Sequence, residues 1–350
     1  MRTFALVSAL LGAVLVAAVA AALAGADGPA VHAHGTVFVT ERAAGSVAAF
    51  DATSGDVLWK QPVGKTPIGI VRPNGTHKVY STDQDSDQIS VLDDSTGELL
   101  TTVAMPAGSL PHHVHATQDG GLIYVGEFGR NSIGVIDTAT DTKFADWKTS
   151  DLADARTHAV WVTRNGKDLY ATVTRADRTQ VGDIVKLDAR TGELLCTLVV
   201  GRDPSEILVT NRADLGYVTV RNENAVKELD LSGDCPTLTG RAAIVGTQPD
   251  TMRLTNDGDT LVVTLRGAPA AISLLDTNAF DVRQVVIPNH PASIAGHHWL
   301  SANGKYTFVA VESPGELAVV DNEGGVVVAQ YPYPGGLRPH GVFAVPETLR

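Results

Sequence analysis

The chain has 350 residues, 44% of them hydrophobic and 19% charged, so it can bury a core and is not a disordered polymer. Its formal net charge of -12 repels phosphate backbones, which sets nucleic acid aside as a partner class. With 34 glycines and 17 prolines against 5% aromatics, the composition suits many short strands joined by turns.

The first element is an apolar run. Arg2 gives a positive start and Phe4 to Ala24 carries no charge. Ala22-Leu23-Ala24 and Ala24-Gly25-Ala26 each supply the small-residue pattern of a cleavage site. Residues 1–26 therefore read as a secretory signal peptide, with an uncleaved membrane anchor as the other reading. No later segment is long and apolar enough to span a bilayer. The expected location is extracytoplasmic: secreted, periplasmic or cell-surface. Cys196 and Cys235 can pair in such a compartment, but two cysteines do not make a disulfide framework.

Beyond the leader the chain repeats. Seven segments end in an apolar strand and an aspartate, from "SVAAFDATSG" through "SIGVIDTATD" to "ELAVVDNEGG". The aspartates are Asp51, Asp93, Asp137, Asp188, Asp230, Asp276 and Asp321, spaced 42, 44, 51, 42, 46 and 45 residues apart. An aspartate at a turn start accepts hydrogen bonds from backbone two residues on, so these seven are read as structural. A second strand precedes each, as in "KVYSTDQ", "LIYVGEF" and "LGYVTVR". Most of these follow a tight turn such as Asn74-Gly75, Asp119-Gly120 or Asn303-Gly304, a strong hairpin signal. A further strand lies before each such turn and another after each Thr-Gly turn.

Four short strands per repeat, seven times, describe an all-β seven-bladed β-propeller. The first repeat lacks its first strand, and "PHGVFAVP" near the C-terminus is a lone first strand. The C-terminal strand, 340–346, is expected to complete blade 1 and close the ring. One domain, 35–346, follows, with 347–350 as a tail. The stretches "SIGVIDTATD", "GYVTVRN" and "PIGIV" resemble the YVTN-type β-propeller repeats of bacterial and archaeal envelope proteins. The resemblance covers nearly all of the mature chain and speaks to fold more than to function.

In such a propeller the first strand of each blade lines a central channel, entered from one mouth. Aligning the seven strand starts gives Ile68-Gly69-Ile70, His112-His113-Val114, His158-Ala159-Val160, Ser205-Glu206-Ile207, Asp250-Thr251-Met252, Gly296-His297-His298 and His340-Gly341-Val342. The Ile68 stretch needs a one-residue shift. Six of the 11 histidines fall in these positions. An even scatter would place about 0.7 there.

Neutral imidazole is the commonest protein metal ligand, and an all-imidazole set suits a transition metal such as copper rather than calcium or magnesium. His112, His158 and His340 share one position and are the expected ligands. His298 is the fourth by strand alternation. His113 and His297 fall on the opposite parity, as outer partners. Asp250 and Glu206 are candidate ligands, partners of an imidazole N–H, or acid–base groups. His115 reads as packing, and His77 and His290 as solvated. Charged second-strand ends, Glu41, Asp83, Glu127, Arg175, Arg221, Arg266 and Glu312, read as a solvated rim.

Three functions remain open. The leading one is metal binding, with redox or hydrolytic chemistry, at a histidine-rich channel mouth. The sequence looks similar in this respect to nitrous oxide reductases, selenium-binding-type methanethiol oxidases and d1-haem propellers. It departs from the first in that three strand starts lack histidine. The second is a lactonase- or lyase-like enzyme using channel histidine as acid or base. The third is a scaffold that binds a ligand or an envelope protein.

Overall fold

The computed structural model describes residues 31–313, 315–333 and 338–345. The leader at 1–26 and the tail at 347–350 lie outside the described residues. Among the described residues no helix is long and apolar enough to cross a membrane.

Seven four-stranded antiparallel sheets form the blades of a propeller. Blade 1 is composite: Pro339–Val345 pairs with Thr36–Glu41, so the C-terminal strand closes the ring on the N-terminal blade. The innermost strands are Pro67–Val71, Pro111–Ala116, Ala155–Val162, Pro204–Val209, Pro249–Leu254, Ala295–Leu300 and Pro339–Val345. Each touches the next around the channel.

The repeat motifs do what their chemistry requires. The Asp51 carboxylate accepts the N–H groups of Thr53 and Ser54, both at 2.9 Å, and Asp93, Asp188 and Asp276 hold their turns in the same way. The second-strand aromatics Phe38, Tyr80, Tyr124, Tyr170, Tyr217 and Phe308 are fully buried. The core lies between blades: Val37 and Phe50 of blade 1, for example, pack with Phe308 and Val319 of blade 7. A middle strand such as Thr36–Glu41 is buried throughout because neighbouring blades cover both its faces, whereas the outer strand Val57–Pro62 is largely exposed.

One backbone irregularity recurs in every blade and builds the site. On blade 3, Pro111 pairs with Glu127 and Val114 with Val125, so three steps on the inner strand match two on its partner. The same one-residue bulge follows Pro67, Thr157, Pro204, Pro249, Ala295 and Pro339. The Ile68 stretch therefore stands in register with the other six. Each bulge carries two residues that no ladder pair fixes.

In several blades a second-strand threonine stitches the bulge to the next blade. Thr82 Oγ1 accepts the Gly69 N–H at 2.7 Å and donates to the His112 carbonyl at 2.6 Å. Thr172 bridges Ala159 and Ser205 in the same way, and Thr219 bridges Glu206 and Asp250. Cys196 and Cys235 form a disulfide, with Cα atoms 5.7 Å apart, that ties blade 4 to blade 5.

Candidate metal centre

The bulges bring five of the six aligned histidines together. Ring centroids run His158–His112 4.5 Å, His112–His113 4.9 Å, His113–His158 4.8 Å, His113–His297 4.7 Å and His297–His340 4.3 Å. One potential ligand nitrogen from each of His112, His113 and His158 lies within 4.8 Å of the others. Phe128 packs against His112 and His158 at 5.3 Å each, with the Arg178 guanidinium 5.2 Å over its ring.

Strict alternation sends consecutive strand residues to opposite faces. His112 and His113 nevertheless both join the cluster, because they occupy the bulge. His297 joins it for the same reason. His298 lies just past the bulge, back in register opposite Val309. It is fully buried with Nδ1 3.1 Å from Thr251 Oγ1, and among the described residues no ring contact joins it to the other five.

A sequence signal for His113 and His297 exists. The stitching position holds threonine in five blades: Thr40, Thr82, Thr172, Thr219 and Thr264. It holds Gly126 in blade 3 and Ala310 in blade 7. Those two blades are the ones with histidine at the second bulge residue. Blade 3 is tight there: a Cβ on Gly126 would stand 2.6 Å from the His158 carbonyl oxygen.

The ring nitrogens divide into committed and open ones. His158 Nδ1 lies 2.7 Å from the Ser205 carbonyl, which can only accept, so Nδ1 carries the proton and Nε2 the lone pair. His340 Nδ1 lies 3.0 Å from Glu312 Oε1, a carboxylate–imidazole pair that likewise leaves Nε2 as the donor atom for a ligand. His112 Nδ1, His113 Nε2 and His297 Nε2 are buried with no hydrogen-bond partner. Leaving such groups unsatisfied costs about 1–3 kcal/mol each.

Burial pushes every imidazole of the cluster down, with His113 at about 3 and His340 at about 4. The rings are therefore neutral near pH 7, the form that binds a metal.

The carboxylates of the ring behave differently. Burial works to raise Asp250, but Arg221 and Arg266 override it and hold it well below the usual range. Asp250 Oδ1 accepts from Ser205 Oγ at 2.6 Å and from Arg221, while Oδ2 stands 4.0 Å from His297 Nε2. Glu206 is raised by burial, partly offset by Arg253 at 2.9 Å, and lies 3.8 Å from His113 Nδ1. The Arg253 guanidinium sits 4.2 Å from the Trp299 ring and 5.7 Å from Trp161, and His115 stacks on Trp161 at 4.4 Å. This layer floors the cluster. A cavity of about 20 Å³ is left beside His113, His297, Glu206 and Arg253.

Two expectations of solvated side chains are corrected. Glu41, Asp83, Glu127, Arg221 and Glu312 are buried rather than forming a solvated rim. Each has a local partner that makes burial tolerable: Ser46 for Glu41, Ser90 for Asp83, Ser132 for Glu127, Asp250 for Arg221, and His340 with Arg266 and Arg338 for Glu312. His290 is also buried, with Nε2 2.7 Å from Glu316 Oε1.

Fold and site together define a closed seven-bladed propeller whose channel mouth is packed with neutral imidazoles. The chain belongs to the family described as outer membrane protein assembly factor BamB, whose model matches residues 15–273. No curated protein matches it. Similar solved structures include a functionally unknown protein from Desulfotomaculum acetoxidans, 15% identical, covering 89% of this chain and 99% of that one with TM-score 0.72. The periplasmic gluconolactonase of Pseudomonas aeruginosa is 15% identical, with 89% and 99% covered and TM-score 0.70. A putative 6-phosphogluconolactonase from Bacteroides fragilis is 17% identical, with 90% and 98% covered and TM-score 0.67. At these identities the likeness is one of fold.

Proposed function

We propose that this protein is an extracytoplasmic propeller, of the YVTN type within its family, that binds a transition metal ion through His112, His113 and His158. The single observation that carries the reading is the convergence of three neutral imidazoles with their ligand nitrogens within 4.8 Å. A metal at the centre of such a triangle lies within about 2.8 Å of each nitrogen, so sub-ångström side-chain shifts reach the usual metal–imidazole length of about 2.0–2.1 Å. The donor set is nitrogen only, which favours copper and then zinc over the oxygen-seeking ions. The Ser205 carbonyl orients His158 as an outer partner does in metal sites. The disulfide and the periplasmic relative support the location.

The gluconolactonase neighbours and the Glu206–His113 approach of 3.8 Å favour a second reading, acid–base catalysis on a lactone. Size weighs against it. The cavity at the cluster, about 20 Å³, admits a water or an ion. Clefts of about 630 to 730 Å³ occur elsewhere, but none of the four is lined by a histidine of the cluster. An envelope protein partner is a third reading, supported by the family description.

Thermal unfolding of the metal-free protein with added Cu(II) or Zn(II) separates these. The metal reading expects a rise in Tm that disappears in His112→Ala/His158→Ala. If neither ion shifts Tm, and a lactone is hydrolysed with loss on Glu206→Gln, the second reading replaces it.

A further inference from the structure

Three guanidiniums crowd one carboxylate at the channel mouth. Arg338 lies 2.8 Å from Glu312, Arg266 2.9 Å and Arg42 3.8 Å, and His340 is the fourth group on it. We infer that this part of the mouth binds a small organic anion, a carboxylate or a phosphate ester, whose anionic group is anchored by Arg42 in the cleft between blades 1 and 2.

The ring closure assembles the group. Arg42 opens the turn after Thr36–Glu41 of blade 1, and Arg266 follows Thr260–Leu265 of blade 6. Glu312 follows Tyr306–Val311 of blade 7, and Arg338 precedes the closing strand. The Arg42 N–H donates to the Arg338 carbonyl at 3.1 Å, which ties the two backbones together.

Arg42 is the group left over. Arg266 and Arg338 each donate a hydrogen bond to Glu312. The Arg42 side chain is only 23% exposed, yet among the described residues its guanidinium makes no hydrogen bond and has Glu312 as its one acid within 4.0 Å. Burial pushes Arg42 down from its usual value; Glu312 opposes this, and Arg266 and Arg338 add to it. A shielded fork of donors with no oxygen to receive it suits a carboxylate or phosphate group.

The other acids in reach are already engaged. Asp250, 3.6 Å from Arg266, is held by Arg221 and Ser205. Asp85 attracts Arg42 from the cleft side, but its Oδ2 accepts Thr66 Oγ1 at 2.5 Å. Asp83 lies behind Gly64 and is closed by Ser90, Gln88 and the Gly64 N–H. Lys65 lines the same cleft and adds a cation with no ion pair among the described residues. The patch is thus a cationic spot on a chain of net charge -12. The cleft holds about 730 Å³, within the span of about 300–1,000 Å³ usual for small-molecule sites. Glu312 links Arg42 to His340, so the anion site adjoins the imidazole arc.

The test is calorimetric titration of the metal-free mature protein, in phosphate-free buffer of low ionic strength, with inorganic phosphate and separately with succinate. Metal is left out, so the outcome is independent of copper binding. The expected result is saturable binding of one ion per chain, with a Kd of about 1 mM or tighter for at least one probe. The affinity should fall as sodium chloride is added. Phosphate alone assigns a phosphate-bearing ligand, succinate alone a carboxylate, and binding of both fits a ligand carrying either group. Arg42→Gln should weaken binding roughly tenfold or more. Arg164→Gln, in the cleft between blades 3 and 4, should leave it unchanged. No saturable heat with either probe, or binding that Arg42→Gln leaves unchanged, overturns the inference. The first of these outcomes needs no variant, so misfolding of Arg42→Gln does not rescue it.

Discussion

The two halves of the channel mouth share one backbone and differ in side chains. Blades 3, 4, 7 and 1 place His112, His113, His158, His297 and His340 on their bulges. Blades 5 and 6 place Ser205, Glu206, Asp250 and Thr251 on the same bulges. The imidazole arc is neutral and carries buried ring nitrogens without partners. The acidic arc is ionic and largely satisfied, with Asp250 held by Arg221 and Ser205, and Glu206 by Arg253 and the Met252 N–H. The bulge is thus a scaffold device, and the chemistry lies in what each blade hangs on it. An arc with open donor atoms awaits something; an arc with closed ion pairs holds the shape.

Removing one partner of the acidic arc should have the largest effect. Asp250→Ala leaves Arg221 buried and uncompensated, and should cost about 3–5 kcal/mol in denaturant unfolding. A loss under 1 kcal/mol would mean that this arc is not the structural half. The seam between the arcs comes next. His158 reaches across it to the Ser205 carbonyl, and the Cys196–Cys235 bridge spans the same two blades. Replacing both cysteines by alanine should remove roughly 4 kcal/mol on loop-closure grounds, read by equilibrium unfolding.

Acid should single out the imidazole arc. Its histidines have folded pKa values depressed by burial, to about 3 for His113 and about 4 for His340, against roughly 6.5 in the unfolded chain. The unfolded state binds more protons in that window, so stability is complete above the unfolded value and is lost as pH falls toward the folded ones. For His113 and His340 the metal-free protein should lose on the order of 2 kcal/mol each between pH 7 and pH 5. A Tm that stays flat over that range would contradict the neutral arc. The smallest effect is expected at Glu312. Glu312→Gln takes the carboxylate from His340 Nδ1 and leaves the His112 group in place, so the copper affinity of that group should change by less than about twofold in a calorimetric titration.

The fold was largely legible because its signals are local and repeated. Asp51 and its six equivalents mark turns, Asn-Gly and Asp-Gly mark hairpins, and the unpaired first strand at the C-terminus marks closure. The site was legible in position but not in direction. Alternation predicts His298 beside His112 and puts His113 and His297 outside, yet one extra residue in the ladder resets the parity between them. That bulge has no signature in a single repeat. It shows only when seven strand starts are compared with their partner strands, where threonine gives way to Gly126 and Ala310. The buried rim was not legible for a different reason. Glu41 and Glu127 look like surface charges until the serine across each hairpin, Ser46 and Ser132, is seen to meet them.

The central claim is most directly tested by anomalous diffraction from crystals of the metal-loaded protein, recorded at the copper edge. The account predicts a peak among His112, His113 and His158, about 2.0–2.1 Å from a nitrogen of each. A channel without a peak, or copper held only at surface sites such as the exposed His32, His34 or His77, would contradict it.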